Sequence, residues 1–135
     1  MEDTEPKMQV SYRDNRTYII KMQGSIDDAD FANFRVEFEK LLNQGACCIL
    51  FHIQGITYVP PTLMKEFSQY MNSVNDLISR RLIASSVIVY STFTKLLLNM
   101  VYNIRAPIRP NKVVTDLEEG YKFVQEVKQS IDSQK

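Results

Sequence analysis

Hydrophobic and polar residues alternate from Met8 to Arg13 (MQVSYR), the period-two pattern of a half-buried strand. Asp14-Asn15-Arg16 supplies a turn and Thr17 to Met22 (TYIIKM) returns, so the pair predicts an antiparallel hairpin. Gly24 breaks the second strand, and Ser25 or Asp27 is placed to cap a following helix. Asp27, Asp28 and Asp30 add favourable charge at that end. The period then changes. From Asp28 to Asn43, Phe31, Phe34, Phe38, Leu41 and Leu42 recur at steps of three and four, one stripe of an amphipathic helix. Gly45 suits its C-terminal stop.

Ala46 to Ile53 is nearly continuously apolar, as a strand covered on both faces is, and Gly55 breaks the run. After Pro60-Pro61, Thr62 to Arg81 reads as a second helix, with Leu63, Phe67, Tyr70, Met71, Val74, Leu77 and Ile78 on one face. Ser86 to Tyr90 (SVIVY) is another short buried strand. Ser91 or Thr92 can cap a third helix to about Ile104, and Pro107 and Pro110 prevent its continuation. Lys112 to Thr115 makes a brief last strand, and Asp116 caps a final helix through about Ile131. The order is β-β-α-β-α-β-α-β-α, which predicts an α/β fold: a mixed, mostly parallel sheet with an N-terminal β-hairpin and about four helices.

Length and composition fit one domain. A chain of 135 residues buries about two-thirds of its unfolded surface. The expected organisation is a flexible segment 1–7, a single domain 8–131 and a flexible segment 132–135. The opening MEDTEPK is acidic and polar, unlike a signal peptide, and no apolar run approaches the 18 or so residues of a membrane span. Cys47 and Cys48 are adjacent, point to opposite faces of a strand and read as small buried hydrophobes. A cytoplasmic protein is the consistent expectation. Sixteen basic and sixteen acidic residues cancel, yet no acidic residue lies between Asp76 and Asp116. That interval holds Arg80, Arg81, Lys95, Arg105, Arg109 and Lys112.

Little in the chain points to catalysis. His52, the single histidine, has apolar strand neighbours and no local serine, cysteine or carboxylate partner. Cys47, Cys48 and His52 lack zinc spacing, and Asp27, Asp28 and Asp30 read as helix-end charges, so no metal is expected. With four glycines and no phosphate-binding loop, no cofactor is expected either. The basic residues are scattered over a helix end, another helix and a loop without interleaved aromatics, so nucleic acid is not expected. The third helix is different. Phe93, Leu96, Leu97, Leu98, Met100, Val101, Tyr102 and Ile104 cover more than one face. The surplus is covered by the loop RAPIRP, by a second subunit or protein partner, or by a lipid or anionic membrane surface. Leu98 and Tyr102 are candidate contact residues on this helix.

Two stretches carry a family resemblance: Ile19 to Asp27 (IIKMQGSID) and Ile49 to Thr62 (ILFHIQGITYVPPT). With the element order above, the chain resembles a STAS domain, the module shared by sulfate transporters and anti-sigma-factor antagonists, over about residues 8–131. The C-terminal half, with RAPIRP and then Val113 to Gly120, looks closer to uncharacterised antagonist-like proteins. Family antagonists carry Asp-Ser-Ser/Thr-Gly at the turn after the strand, and a kinase phosphorylates the serine after the Asp. Here Pro60 stands at the Asp, Pro61 at the phosphorylated Ser, Thr62 at the second hydroxyl and Leu63 at the Gly. Proline has no hydroxyl, so the family switch is absent at that position. Thr62 is the remaining candidate for phosphorylation, and its ordinary role is at the helix start.

The resemblance implies a non-enzymatic regulatory module that binds a protein partner, such as a regulatory kinase or phosphatase, or self-associates as a dimer. Family antagonists bind partner kinases around this turn and its following helix, which places the contact surface at Tyr58, Pro60, Pro61, Thr62, Leu63, Lys65 and Glu66. Tyr58 and Leu63 then serve as apolar anchors and Lys65 or Glu66 as rim charge. The alternative is a small-molecule or lipid-binding carrier with peripheral membrane association, its pocket beside the third helix.

Overall fold

The computed structural model describes residues 6–89 and 109–133. Within them, strands β1 (Met8–Asp14) and β2 (Thr17–Ser25) form the expected antiparallel hairpin, Met8 opposite Met22 and Tyr12 opposite Tyr18. Its turn residues Asn15 and Arg16 both have positive φ, 49° and 61°. A turn of that hand matches the right-handed twist of the strands it joins. Helix α1 (Asp28–Gln44) follows, then β3 (Cys47–Tyr58), α2 (Pro61–Ser73), α3 (Asn75–Arg81), β4 (Leu82–Ile88), β5 (Asn111–Val114) and α4 (Leu117–Ser133). The five strands lie in chain order, β1-β2-β3-β4-β5, with every pair from β2 onward parallel.

That order decides where the helices go. The connections β2 to β3 and β3 to β4 step in the same direction across the sheet, so crossovers of one hand place their helices on one face. There α1, α2 and α3 bury Phe31, Phe34, Phe38, Leu42, Leu63 and Ile78 against Ile20, Cys47 and Ile49. Among the described residues, the opposite face is covered by α4, which crosses it diagonally. Gly120 lies against Ser86 of β4, and Val124 packs with Cys48 of β3. Gln125 Nε2 donates to Thr17 Oγ1 of β2 at 2.7 Å. Arg13 donates twice to the Glu118 carboxylate, both at 2.8 Å, and its guanidinium lies 3.6 Å from the Tyr121 ring centroid. The Tyr121 hydroxyl donates to Asp14. The last helix is thus fastened to the first hairpin.

Helix α1 carries a reciprocal cap. The Asp30 N–H donates to Asp27 Oδ1 and the Asp27 N–H to Asp30 Oδ2, both at 2.9 Å. Of the two expected caps, Asp27 is the one used. Gly45 closes the helix with φ 140°. Lys7, expected in the flexible N-terminal segment, belongs to the fold. Its carbonyl accepts the Gln23 N–H at 2.9 Å and its ammonium pairs with Asp30 at 3.2 Å. At the other end α4 runs to Ser133, past the expected Ile131.

Several boundaries differ from the sequence pattern, and Gly24 does not break β2, which runs on to Ser25 beside Tyr58 of β3. Gly55 does not end β3; it continues the strand opposite Gln23, where a Cβ would lie 2.8 Å from the Gln23 Cβ. The glycine is there for close approach rather than termination. The expected helix 62–81 is two helices, divided at Val74 (φ −106°, ψ 19°). The Ser73 hydroxyl donates to the Tyr70 carbonyl at 2.6 Å, the local competition by which serine weakens a helix interior. Strand β4 starts at Leu82, directly after α3, four residues before the expected Ser86. The third helix expected to about Ile104, with Leu98 and Tyr102, lies outside the described residues.

Candidate functional site

Parallel strands β2 and β3 end at the same edge of the sheet, and a hydrogen bond from the Ile26 N–H to the Tyr58 carbonyl (2.9 Å) ties their ends together. The Tyr58 side chain stands 51% exposed on this tied backbone. The chain then turns through Val59 and Pro60. Pro60 is extended (φ −59°, ψ 140°), as a residue preceding proline must be. Its carbonyl accepts the N–H groups of Leu63 (3.0 Å) and Met64 (3.2 Å), which starts α2. Pro61 occupies the first helical position, where its missing N–H costs nothing.

Two helix starts stand side by side here and are finished differently. The α1 start is neutralised by its own carboxylates, and the Asp30 N–H, followed by the Asp30 side chain, holds the Asp27 carboxyl below its ordinary range. The α2 start has no side-chain cap and no acidic residue in its first turn. Pro61, Thr62, Lys65 and Glu66 are exposed around it, with Pro60 half-buried beneath. Thr62 is a first-turn residue, and the cap position belongs to Pro60.

Leu63 requires correction as an apolar anchor. It is 3% exposed and packs in the core with Ile56 and Ile78, because the first turn of an amphipathic helix points every third or fourth residue at the sheet. Leu63 and Met64 hold the helix start down, and Tyr58 is the exposed apolar group of the turn. Leu98 and Tyr102, the other two expected contact residues, lie outside the described residues. The neighbouring α1 start, with exposed Asp27 and Asp28, did not enter the expected site. Parallel pairing of the second and third strands was the signal for it, since parallel strands end at one edge.

The rest of the helical layer fixes the turn in place. The Tyr70 hydroxyl donates to Glu39 Oε2 at 2.8 Å, and its ring meets Phe31 edge-on at 5.8 Å, pinning α2 to α1. Burial, then the bond to Glu39, pushes that phenol well above its ordinary range, so it stays a donor. Arg35 lies over Phe31 at 4.9 Å and extends the same contact outward.

Other candidate chemistry is absorbed by the fold. Cys47 and Cys48 are fully buried, and burial pushes both thiols up to about 11, so neither is a nucleophile at neutral pH. His52 stands in β3 between Lys21 and Ile88 of the neighbouring strands. Arg80 pairs with Asp76 at 3.0 Å, and Arg109 donates to the Leu82 carbonyl at 2.9 Å. Among the described residues no group of His, Cys, Asp and Glu is arranged to hold a metal, and no helix is long and apolar enough to cross a membrane.

Strand order and helix placement define a STAS-type α/β fold. The solved structure of the anti-sigma factor antagonist SpoIIAA in its unphosphorylated form is similar to it, with a TM-score of 0.63 over 88% of this chain and 96% of that one. The two sequences are 15% identical, so the likeness is one of fold. No family model matches the chain, and no curated protein matches it in sequence.

Proposed function

We propose that the protein is a non-enzymatic regulatory module that binds a protein partner at the Tyr58–Glu66 surface. The observation that carries this reading is the exposed Tyr58 on a backbone held from both sides, by Ile26 before the turn and by two proline-started helix bonds after it. A rigid turn loses little conformational freedom on binding, and tyrosine supplies large contact area with few rotatable bonds. The fold shared with an anti-sigma factor antagonist supports the same reading. Tyr58 is the apolar anchor, Pro61 and Thr62 the floor of the contact, and Lys65 and Glu66 its charged rim.

The test is affinity capture from the source cells with wild-type protein and with the double variant Tyr58→Ala, Lys65→Glu. Both side chains are exposed, so the fold should be unchanged by circular dichroism. A partner retained by wild type should fall by roughly tenfold or more with the variant, the effect of removing an interface anchor. Equal capture by both proteins would remove this surface from consideration.

This contact works without the phospho-switch of family antagonists, because Pro60 and Pro61 carry no hydroxyl. After incubation of the protein with cell extract and ATP, the peptide spanning 57–66 is expected to carry no phosphate. Stoichiometric phosphate on Thr62, measured by peptide mass, would restore a switch one residue along. The carrier alternative places its pocket beside the third helix, outside the described residues.

A further inference from the structure

Among the described residues, strand β1 forms one edge of the sheet, away from the turn. The Gln23 N–H donates to the Lys7 carbonyl, which sets the phase of the hairpin ladder. By the alternation of an antiparallel pair, Gln9 and Ser11 turn their N–H and C=O groups toward β2, and Met8, Val10 and Tyr12 turn theirs outward. Such an edge ordinarily carries a proline, a lysine or a bulge in its middle. Here Gln9-Val10-Ser11-Tyr12 is uncharged and proline-free, and the irregularity falls after Tyr12. The flanking charges are engaged within the chain: Lys7 with Asp30, Arg13 with Glu118, Asp14 with Tyr121. Beside this edge an open groove runs between β1 and α1, lined by Met8, Val10, Asn33, Val36 and Glu37. Val36 at 63% and Tyr12 at 58% are the most exposed large apolar side chains among the described residues, and both border the edge.

We infer that two copies of the chain join β1 to β1, antiparallel, about a twofold axis at Ser11, so that one sheet runs through both. The outward-facing residues must pair with one another, which leaves few registers. Centring on Val10 opposes Val10 with its own copy and Met8 with Tyr12. Centring on Ser11 opposes Val10 with Tyr12, Gln9 with Arg13 and Met8 with Asp14, with no like charges opposed. In that register each Tyr12 lands beside the other copy's groove, next to Val36. One event therefore covers both exposed apolar groups and satisfies the unpaired backbone of the edge. This self-association uses a different surface from the Tyr58 turn and does not rest on the function proposed for it.

The register makes the test specific. Ser11 faces its own copy across the axis as a non-hydrogen-bonded pair, whose Cα atoms lie about 4.5 Å apart, within disulfide range. Gln9 and its own copy are four residues out of register, roughly 13 Å apart. In the full chain, Ser11→Cys should give a covalent dimer under mild oxidation, and Gln9→Cys should not. The native Cys47 and Cys48 are buried and do not compete. Sedimentation of the wild type across roughly 5–500 µM should show a monomer–dimer equilibrium. Ser11→Lys, an exposed change that leaves the monomer's melting curve in place, should weaken it roughly tenfold. A wild type that stays monomeric throughout, or Ser11→Cys crosslinking no faster than Gln9→Cys, overturns the inference. Dimerisation insensitive to Ser11→Lys also overturns it and assigns self-association to another surface.

Discussion

Replacing Phe38 by alanine is expected to lower the unfolding free energy by about 3–5 kcal/mol, the range for removing a large aromatic side chain from a core. Phe38 is 0% exposed and sits at the centre of the aromatic layer between α1 and the sheet. Its ring stacks on Phe34 at 5.3 Å and meets Phe51 at 6.1 Å and Tyr70 at 6.5 Å. These neighbours are held from three different elements, so they cannot all move inward to fill the space. The effect is read from the shift in a denaturant unfolding curve. Val36→Ser, on the outer face of the same helix, should stay within about 0.5 kcal/mol. A Phe38→Ala loss under about 1 kcal/mol would mean the layer can collapse around the gap.

The second large effect is expected at Gly120, where α4 meets the sheet. A Cβ there would stand 3.0 Å from the Ser86 Cβ and 3.3 Å from Val114 Cγ2. The helix backbone comes this close because the buried Ser86 hydroxyl donates to the Gly120 carbonyl at 2.9 Å. Gly120→Leu should cost about 1–3 kcal/mol from overpacking, with about 1 kcal/mol more if the serine bond breaks. Gly120→Ala should come out near neutral. The better helix propensity of alanine, about 1 kcal/mol, then offsets a crowding of a few tenths of an ångström. Thermal or denaturant unfolding of the two variants separates space from propensity. Equal losses in both would make backbone freedom, rather than packing, the reason for the glycine.

Gly120 also shows where reading the chain as a string stops. The hairpin, α1 with its five inward apolar residues, and the order of strands and helices were legible because each rests on a repeat of two or of three to four residues. The cap at Asp27 was legible for the same local reason. Boundaries failed where a polar residue is buried or a helix is interrupted by side-chain bonding. The sequence pattern starts the strand at Ser86 and leaves Ser85 outside it, yet both lie in its buried middle. Asn111 Nδ2 donates to Ser85 Oγ at 2.7 Å, and Ser86 bonds to α4. Those partners come from elements 26 and 34 residues away, and no local pattern encodes them. In the candidate site, the turn and the helix start followed from the proline pair, whereas the contact surface at Tyr58, Pro61, Thr62, Lys65 and Glu66 came from the family resemblance. Leu63 was misassigned because a residue's position in a helix's first turn does not say which way it faces until the sheet beneath it is placed. The clasp between Arg13 and Glu118 spans 105 residues and had no signal at all.

The spatial order of the strands has a consequence for synthesis. Because β1 to β5 lie in the order in which they leave the ribosome, each new strand finds its ladder partner already made. A nascent chain can therefore lengthen its sheet one strand at a time, with α1, α2 and α3 covering one face as they emerge. Among the described residues, the other face is covered by α4, which emerges after all five strands. Only then do Glu118, Tyr121 and Gln125 reach back to Arg13, Asp14 and Thr17. A chain stalled before α4 would lack this helix's cover over Cys48, Leu50, Ala84 and Ile88, which α4 supplies once it is released.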